Sequence, residues 1–404
     1  MSVGAESFGR LWSQLEPIGR DPGTGGYRRY AWTREDLTLR EWFAGEAAAR
    51  GLDLSTDRAG NQWAWWGNPD AAVAAGNSGL VIGSHLDSVP DGGAFDGPLG
   101  VASSFAALDV LRHEGFSPSR PIAVAQFGDE EGARFGIACA GSRLITGALD
   151  ADRARSLTDA DGISMAEAIT SAGGRPEDLG RDEQTLRRIG TFVELHVEQG
   201  RRLIDLGRPV AVGTSIWPHG RWRFDLAGQG NHAGTTRLAD RHDPMLSLAT
   251  ILQTARALAE QGEVLATCGK LQVRPNGVNA IPSSVTGWLD ARGADAEHVR
   301  ALVDAFGDVV ARHDGQFVQE SWTDETFFSP GLTRRLSKLL DEAPLLPTGA
   351  GHDAGILANA GIETAMLYVR NPTGISHSPE EYAELSDCLE GVDALARTVQ
   401  ELAG

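Results

Sequence analysis

Lysine is almost missing from this 404-residue chain: only Lys270 and Lys338 occur, so nearly all of its 36 basic residues are arginine. A coding preference for arginine accounts for such a bias, and a single Arg therefore carries little weight without supporting context. Basic charge is scarce as a whole, since 36 Lys and Arg stand against 55 Asp and Glu for a net charge of -19. That balance argues against a general nucleic-acid or anionic-membrane binder, either of which needs a basic face. It leaves room for a small anionic substrate gripped by local arginines. Cysteine is also rare. Cys139, Cys268 and Cys388 are odd in number, far apart and without a CxxC pair, which excludes a disulfide framework or a thiolate zinc site. No run approaches the roughly 18 apolar residues of a membrane span, and the opening MSVGAESFGRLWSQLEPIGRDP lacks the apolar core of a secretory signal. The expectation is a cytoplasmic protein with neither a nucleic-acid nor a membrane partner.

What is present is ordinary in bulk: 41% apolar and 23% charged residues, in a chain long enough for two domains. From about residue 78 the pattern is α/β. GLVIGSH, PIAVAQFG and TFVELHVEQG are apolar runs ending in polar loops, the form of buried strands that deliver functional residues at their carboxyl edges. A helix is expected over 99–115, with Leu108 and Leu111 on its apolar face. Near residue 210 the pattern changes. RWRFDLAG alternates, with Trp222, Phe224 and Leu226 on one side and Arg221, Arg223 and Asp225 on the other. Helices near 243–261 and 295–313 and strands near 264–273, 285–291 and 316–322 complete a β-α-β-β-α-β order, which predicts a compact two-layer unit of ferredoxin-like type. ETAMLYV then reads as a strand, with a last helix from about 381. The predicted fold class is α/β: a catalytic domain with a mixed sheet flanked by helices, spanning 1–210 and 329–404, interrupted by a smaller α+β domain at 211–328.

Five potential metal ligands stand in distinctive contexts: His85 in GSHLDS, Asp96 in GGAFDGPLG, Glu131 in GDEEGARFG, His196 in ELHVEQG and His377 in SHSPEE. Such a set suits two divalent ions if one carboxylate bridges both. Asp96 is the natural bridge, because its glycine-rich loop can bend around two ions, although most Asp in such loops only stabilise turns. Asp87 is expected to accept the second ring N–H of His85. Burying Glu130 and Glu131 side by side without cations would be costly. A metal would keep Glu131 ionised and leave Glu130 as the proton-transfer base. Glu198 rivals His196 as a ligand, Gln199 is a candidate substrate contact, and His352 in GAGHDAG competes with His377 or lines the site. In the inserted region His232 of GQGNHAGTT and Asn279 of GVNAIP can donate to an oxyanion, and Arg292 can pair bidentately with a carboxylate. His113, His242, His298 and His313 lie in helical, charged surroundings and read as surface residues.

Taken in order, GSHLDSVPDGGAFDGPLGV, GDEEGARFG, ELHVEQG, NHAGTT, GVNAIP, GAGHDAG and SHSPEE resemble the N-carbamoyl-L-amino-acid hydrolase, β-ureidopropionase and allantoate amidohydrolase family. That family is a branch of the dinuclear metallopeptidases and aminoacylases. The resemblance implies one metal held by His85, Asp96 and His196 and another by Asp96, Glu131 and His377, with zinc or manganese as the ions. It implies Glu130 as general base acting on a hydroxide that bridges them. His232 and Asn279 would polarise substrate, in some members from the neighbouring subunit of a homodimer, and Arg292 would grip a substrate carboxylate. The inserted domain would serve as lid and dimer interface. The segment SIWPHGRWRF is more similar to bacterial allantoate amidohydrolases than to typical carbamoylases. The expected reaction is hydrolysis of a linear ureido amide; N-formyl or N-formimidoyl amino acids, or dipeptides, are the alternatives. A non-catalytic binding protein is disfavoured by intact Glu130 and all five ligands.

Overall fold

The computed structural model describes residues 2–404. The chain divides into two compact units, one built from residues up to Ser215 together with Phe327–Gly404 and the other from Ile216–Thr326. The joints fall a few residues inside those expected at 210/211 and 328/329. The reason is that Val210–Ile216 pairs antiparallel with Glu363–Val369 and so extends the sheet of the first unit.

That sheet has nine strands, and its middle follows from composition. Gly79–His85 and Ile122–Phe127 are buried along their whole length, as continuous apolar runs with a helix layer on either side must be. They pair in parallel with each other. Gly79–His85 also pairs in parallel with Ile189–Val197, which in turn pairs in parallel with Glu363–Val369. Antiparallel strands Gln62–Trp66 and Val210–Ile216 flank these four, making the sheet mixed. The register sets His85 opposite Phe127 and His196 opposite Tyr368. Four carboxyl ends therefore open on one edge. The helices Val3–Leu15, Pro98–His113 and Leu385–Ala403 bury Phe8, Leu11, Phe105, Leu108, Val392 and Leu395 in the core of this unit.

The last helix starts at Leu385 rather than near 381. Residues 370–384 stay non-helical, and within them Glu381 turns inward to bond the backbone of Phe95 and Asp96. Two regions carried no expectation. The first 78 residues contribute three helices and a hairpin, and residues 140–188 form a string of short helices.

The second unit is a four-stranded antiparallel sheet in the order Gln316–Thr323, His219–Ala227, Ser284–Arg292, Leu265–Arg274. Helices Pro244–Gly262 and Ala296–Arg312 cover one face. Trp222, Phe224 and Leu226 point into that interface and Arg221 outward, as alternation predicts. Phe306 packs on Phe224 and Phe317, with ring centroids 5.6 and 5.3 Å away. No helix among the described residues is long and apolar enough to cross a membrane.

Candidate metal centre

The site gathers at the carboxyl edge of the four parallel strands, where open α/β sheets commonly place their ligands. His85 is the last residue of its strand, and His196 is the penultimate residue of Ile189–Val197; both side chains are fully buried. Glu130 and Glu131 follow Ile122–Phe127 through Asp129, which takes a left-handed backbone conformation (φ 54°). His377 sits in the loop after Glu363–Val369 with φ 57°. A left-handed non-glycine residue is held only where its surroundings over-determine it, and such residues cluster at functional sites. Asp96 arrives on the loop that precedes helix Pro98–His113.

Asp96 faces both groups of ligands. Its Oδ1 lies 3.0 Å from His196 Nε2 and 3.3 Å from His85 Nε2. Its Oδ2 lies 3.4 Å from His377 Nε2, which is also 3.6 Å from Glu131 Oε2. The tautomers follow from the other ring nitrogens. His196 Nδ1 donates to Val197 O at 2.9 Å and His85 Nδ1 to Asp87 O at 3.2 Å. Both Nε2 atoms then face one carboxylate oxygen without a hydrogen-bond partner although buried, and the surrounding carboxylates, Glu130 and Asp96 at His85 and Asp96 at His196, raise the proton affinity of both rings despite that burial. A divalent cation held among these atoms would take the place of the protons that the buried carboxylates otherwise draw onto the two rings. The residues present therefore fit divalent ions, and the mixed nitrogen and carboxylate donors suit zinc or manganese.

The tightly packed loop explains one glycine of the Asp96 motif. Gly97 has φ 84°, and a Cβ there would fall 2.5 Å from the His85 ring. Only glycine lets the chain turn into the helix against that imidazole.

Asp87 works differently from expectation. Its carboxylate is 3.6 Å from His85 Nδ1, too far for a hydrogen bond. Instead it accepts the backbone N–H groups of Glu130 at 3.1 Å and Glu131 at 3.0 Å, while its backbone carbonyl orients His85. One residue thus fixes both the first histidine and the acidic pair. Glu198, the rival ligand, instead turns its carboxylate to the helix Arg202–Leu206, accepting from the N–H groups of Arg202 and Leu203. Glu194, His196 and His352 also approach one another closely. However, Glu194 already accepts from Ser84 and from the Ala354 N–H, and both His196 nitrogens are committed. That group braces His196 from behind. His352 stacks edge-on against His196 with centroids 4.5 Å apart, and burial keeps it neutral. Asp353 bonds Ser142 at 2.5 Å rather than His352.

Electrostatics mark the carboxylates. Burial pushes Glu130 well above the ordinary range, and Asp353, Glu131 and Asp87 add to it. Burial and Asp96 raise Glu131 to about 7. Asp96 is held well below the usual range by His196, His377 and His85 despite its burial. A dication held by Glu131 would oppose this rise by stabilising its ionised form. Glu130 Oε2 is 3.8 Å from His85 Nε2, outside hydrogen-bond range but beside the cluster.

Other residues were not singled out in the sequence. The Cys139 thiol donates to Glu130 Oε1 at 3.3 Å; a lone cysteine gave no signal. Ser376 and Glu381 also touch the cluster, and their only signal was membership of SHSPEE. Gln199, expected at substrate, places its amide nitrogen 2.9 Å from Asp96 Oδ2 and 3.1 Å from Ser376 Oγ. A cavity of about 600 Å³, lined among others by Trp32, Arg40, Arg58 and Arg175, shares no residue with the cluster.

In the second unit His232 and Asn279 are exposed and near each other: His232 pairs with Ala280, and the Ala233 N–H donates to Asn279 O. His232 Nδ1 accepts from the Gly234 N–H at 3.0 Å, which leaves the proton on Nε2 as a donor. Arg292 ends its strand and forms an ion pair with Asp290 at 2.7 Å. His113, His242 and His298 are exposed, and His313 is half-buried.

A mixed α/β sheet that gathers candidate metal ligands at four strand ends is an arrangement suited to a metal-dependent hydrolase. Residues 81–401 match the model of peptidase family M20/M25/M40, and the chain belongs to that family. It is 36% identical to an N-carbamoyl-L-amino acid amidohydrolase of Geobacillus stearothermophilus, covering 98% of both chains. It is 32% identical to the allantoate amidohydrolase of Escherichia coli over 96% of both. Among solved structures it resembles an amidase of the hydantoinase/carbamoylase family from Burkholderia vietnamiensis, with TM-score 0.86 and 28% identity over 98% of this chain and 97% of that one.

Proposed function

We propose that this chain is an amidohydrolase that cleaves the linear C–N amide of a small ureido acid, allantoate or an N-carbamoyl-L-amino acid, with two divalent ions per subunit. One observation carries the reading. Asp96 turns one oxygen to His85 and His196 and the other to His377 and Glu131, with Glu130 pinned alongside. His85, Asp96, His196, Glu131 and His377 would hold the divalent cations, which would supply Lewis acidity toward the scissile carbonyl and acidify a water. Glu130 takes the proton from that water as it adds to the carbonyl carbon, and then passes it to the departing nitrogen. His232 and Asn279 are assigned to the developing oxyanion and Arg292, released from Asp290, to the substrate carboxylate. The inserted unit is assigned the role of lid and dimer interface. The products are an amine-bearing acid, carbon dioxide and ammonia.

The test is ammonia release from zinc- or manganese-loaded protein across allantoate, several N-carbamoyl-L-amino acids and N-formyl-glutamate, with a dipeptide as control. Turnover of one ureido acid supports the reading and names the substrate. Cleavage of the dipeptide alone moves the chain to the peptidase branch. Glu130→Gln is expected to retain its metal and lose on the order of 10²–10⁴ in turnover; loss of metal would show that base and ligand have been exchanged.

A further inference from the structure

Asp96 has to present two oxygens in opposite directions from a loop, and the strands secure only one of them. The Oδ1 side meets His85 and His196, which project from buried strands. The Oδ2 side meets His377, whose side chain is half exposed on a left-handed loop residue. Something must hold that second loop in register with the first.

Glu381 joins the two. It is only 4% exposed, and one carboxylate oxygen, Oε1, accepts the N–H of Phe95 at 2.8 Å and of Asp96 itself at 2.9 Å. Its other oxygen accepts from Ser376 Oγ at 3.1 Å, one residue before His377. The fit is tight enough to explain a second glycine of GGAFDGPLG. A Cβ on Gly93 would lie 2.3–2.4 Å from the Oε1, Cβ and Cδ atoms of Glu381. Gly93 thus opens the space through which this carboxylate reaches the Asp96 backbone.

We propose that Glu381 is a positioning residue: its carboxylate fixes the backbone of Asp96 in the two-sided orientation and ties the Ser376–His377 segment to it. Glu381 thereby secures the Asp96–Glu131–His377 half of the centre selectively. The inference rests on the metal reading of the proposed function. It acts through hydrogen-bond geometry, because Oε1 needs only to accept.

Metal titration of chelator-stripped wild type, Glu381→Gln and Glu381→Ala, by calorimetry with zinc and then manganese, tests it without reference to turnover. Wild type is expected to show two uptake steps. Glu381→Ala should weaken one step by about 10–100-fold, the usual scale for residues that orient ligands, and leave the other within a few-fold. Glu381→Gln keeps the acceptor and should stay close to wild type at both. Gly93→Ala leaves the Glu381 carboxylate chemically intact but displaces it, and should reproduce the alanine pattern if Glu381→Ala fails to fold. Equal weakening of both steps, unchanged affinities in Glu381→Ala, or a Glu381→Gln variant as impaired as Glu381→Ala would each overturn the proposal. Wild type that takes up no metal would instead overturn the metal reading, and this inference with it.

Discussion

Asp353 offers a test of the buried electrostatics with a sign that is easy to get wrong. Its side chain is fully buried, one oxygen accepts from Ser142 and the other has no hydrogen-bond partner. Burial, with Glu194 nearby, raises its carboxyl from 3.8 to about 8. A carboxyl whose folded value exceeds its unfolded one favours the folded state only while protonated. Its ionised form opposes folding, and stability is lost as pH climbs from the unfolded value toward the folded one. Asp353→Asn keeps an acceptor for Ser142 and cannot ionise, so it removes this loss. At 1.36 kcal/mol per unit, the stability advantage of the variant should widen by at most about 3 kcal/mol between pH 5.5 and 8. Urea unfolding of both proteins at the two pH values, with chelator present throughout, measures it. A gap that stays constant or narrows toward pH 8 refutes a raised Asp353 carboxyl whose ionisation opposes folding.

Two further substitutions probe the packing. Gly97→Ala forces a methyl into the His85 ring at a backbone angle that disfavours side chains; metal uptake should fall severely, and unaltered titration would remove the close-approach argument. Phe306→Ala empties the centre of the second unit, where Phe306 is wholly buried between Phe224 and Phe317. It should cost that unit about 3–5 kcal/mol, readable as an earlier unfolding transition, and a loss below about 1 kcal/mol would mean the aromatic cluster collapses to fill the gap.

The legible parts of this chain share a physical reason. Strands such as Gly79–His85 are buried on both faces and end in polar loops, so a run of apolar letters followed by His or Asp announces both the element and its cargo. Trp222, Phe224 and Leu226 are readable because period-two alternation is a local signal. The segment 140–188 is not, since helices of six or seven residues are too short to display a period. Asp87 reads as a partner for the His85 ring because proximity in sequence cannot say whether a carbonyl or a carboxylate will reach it. Glu381 escapes notice for the opposite reason: the backbone it serves lies 285 residues away.

The position of Glu363–Val369 carries a consequence for how the molecule is made. This strand lies between Ile189–Val197 and Val210–Ile216, two segments that are near neighbours in the chain. On the ribosome the first 215 residues emerge with a gap in the middle of their sheet, and Ile216–Thr326 has its own core and can fold while that gap persists. Only when Val369 clears the exit tunnel can the slot be filled, and only then does His377 reach Asp96. The Asp96–Glu131–His377 group is therefore completed late in the birth of this protein, and a nascent chain stalled before residue 363 would expose two unsatisfied strand edges to its neighbours.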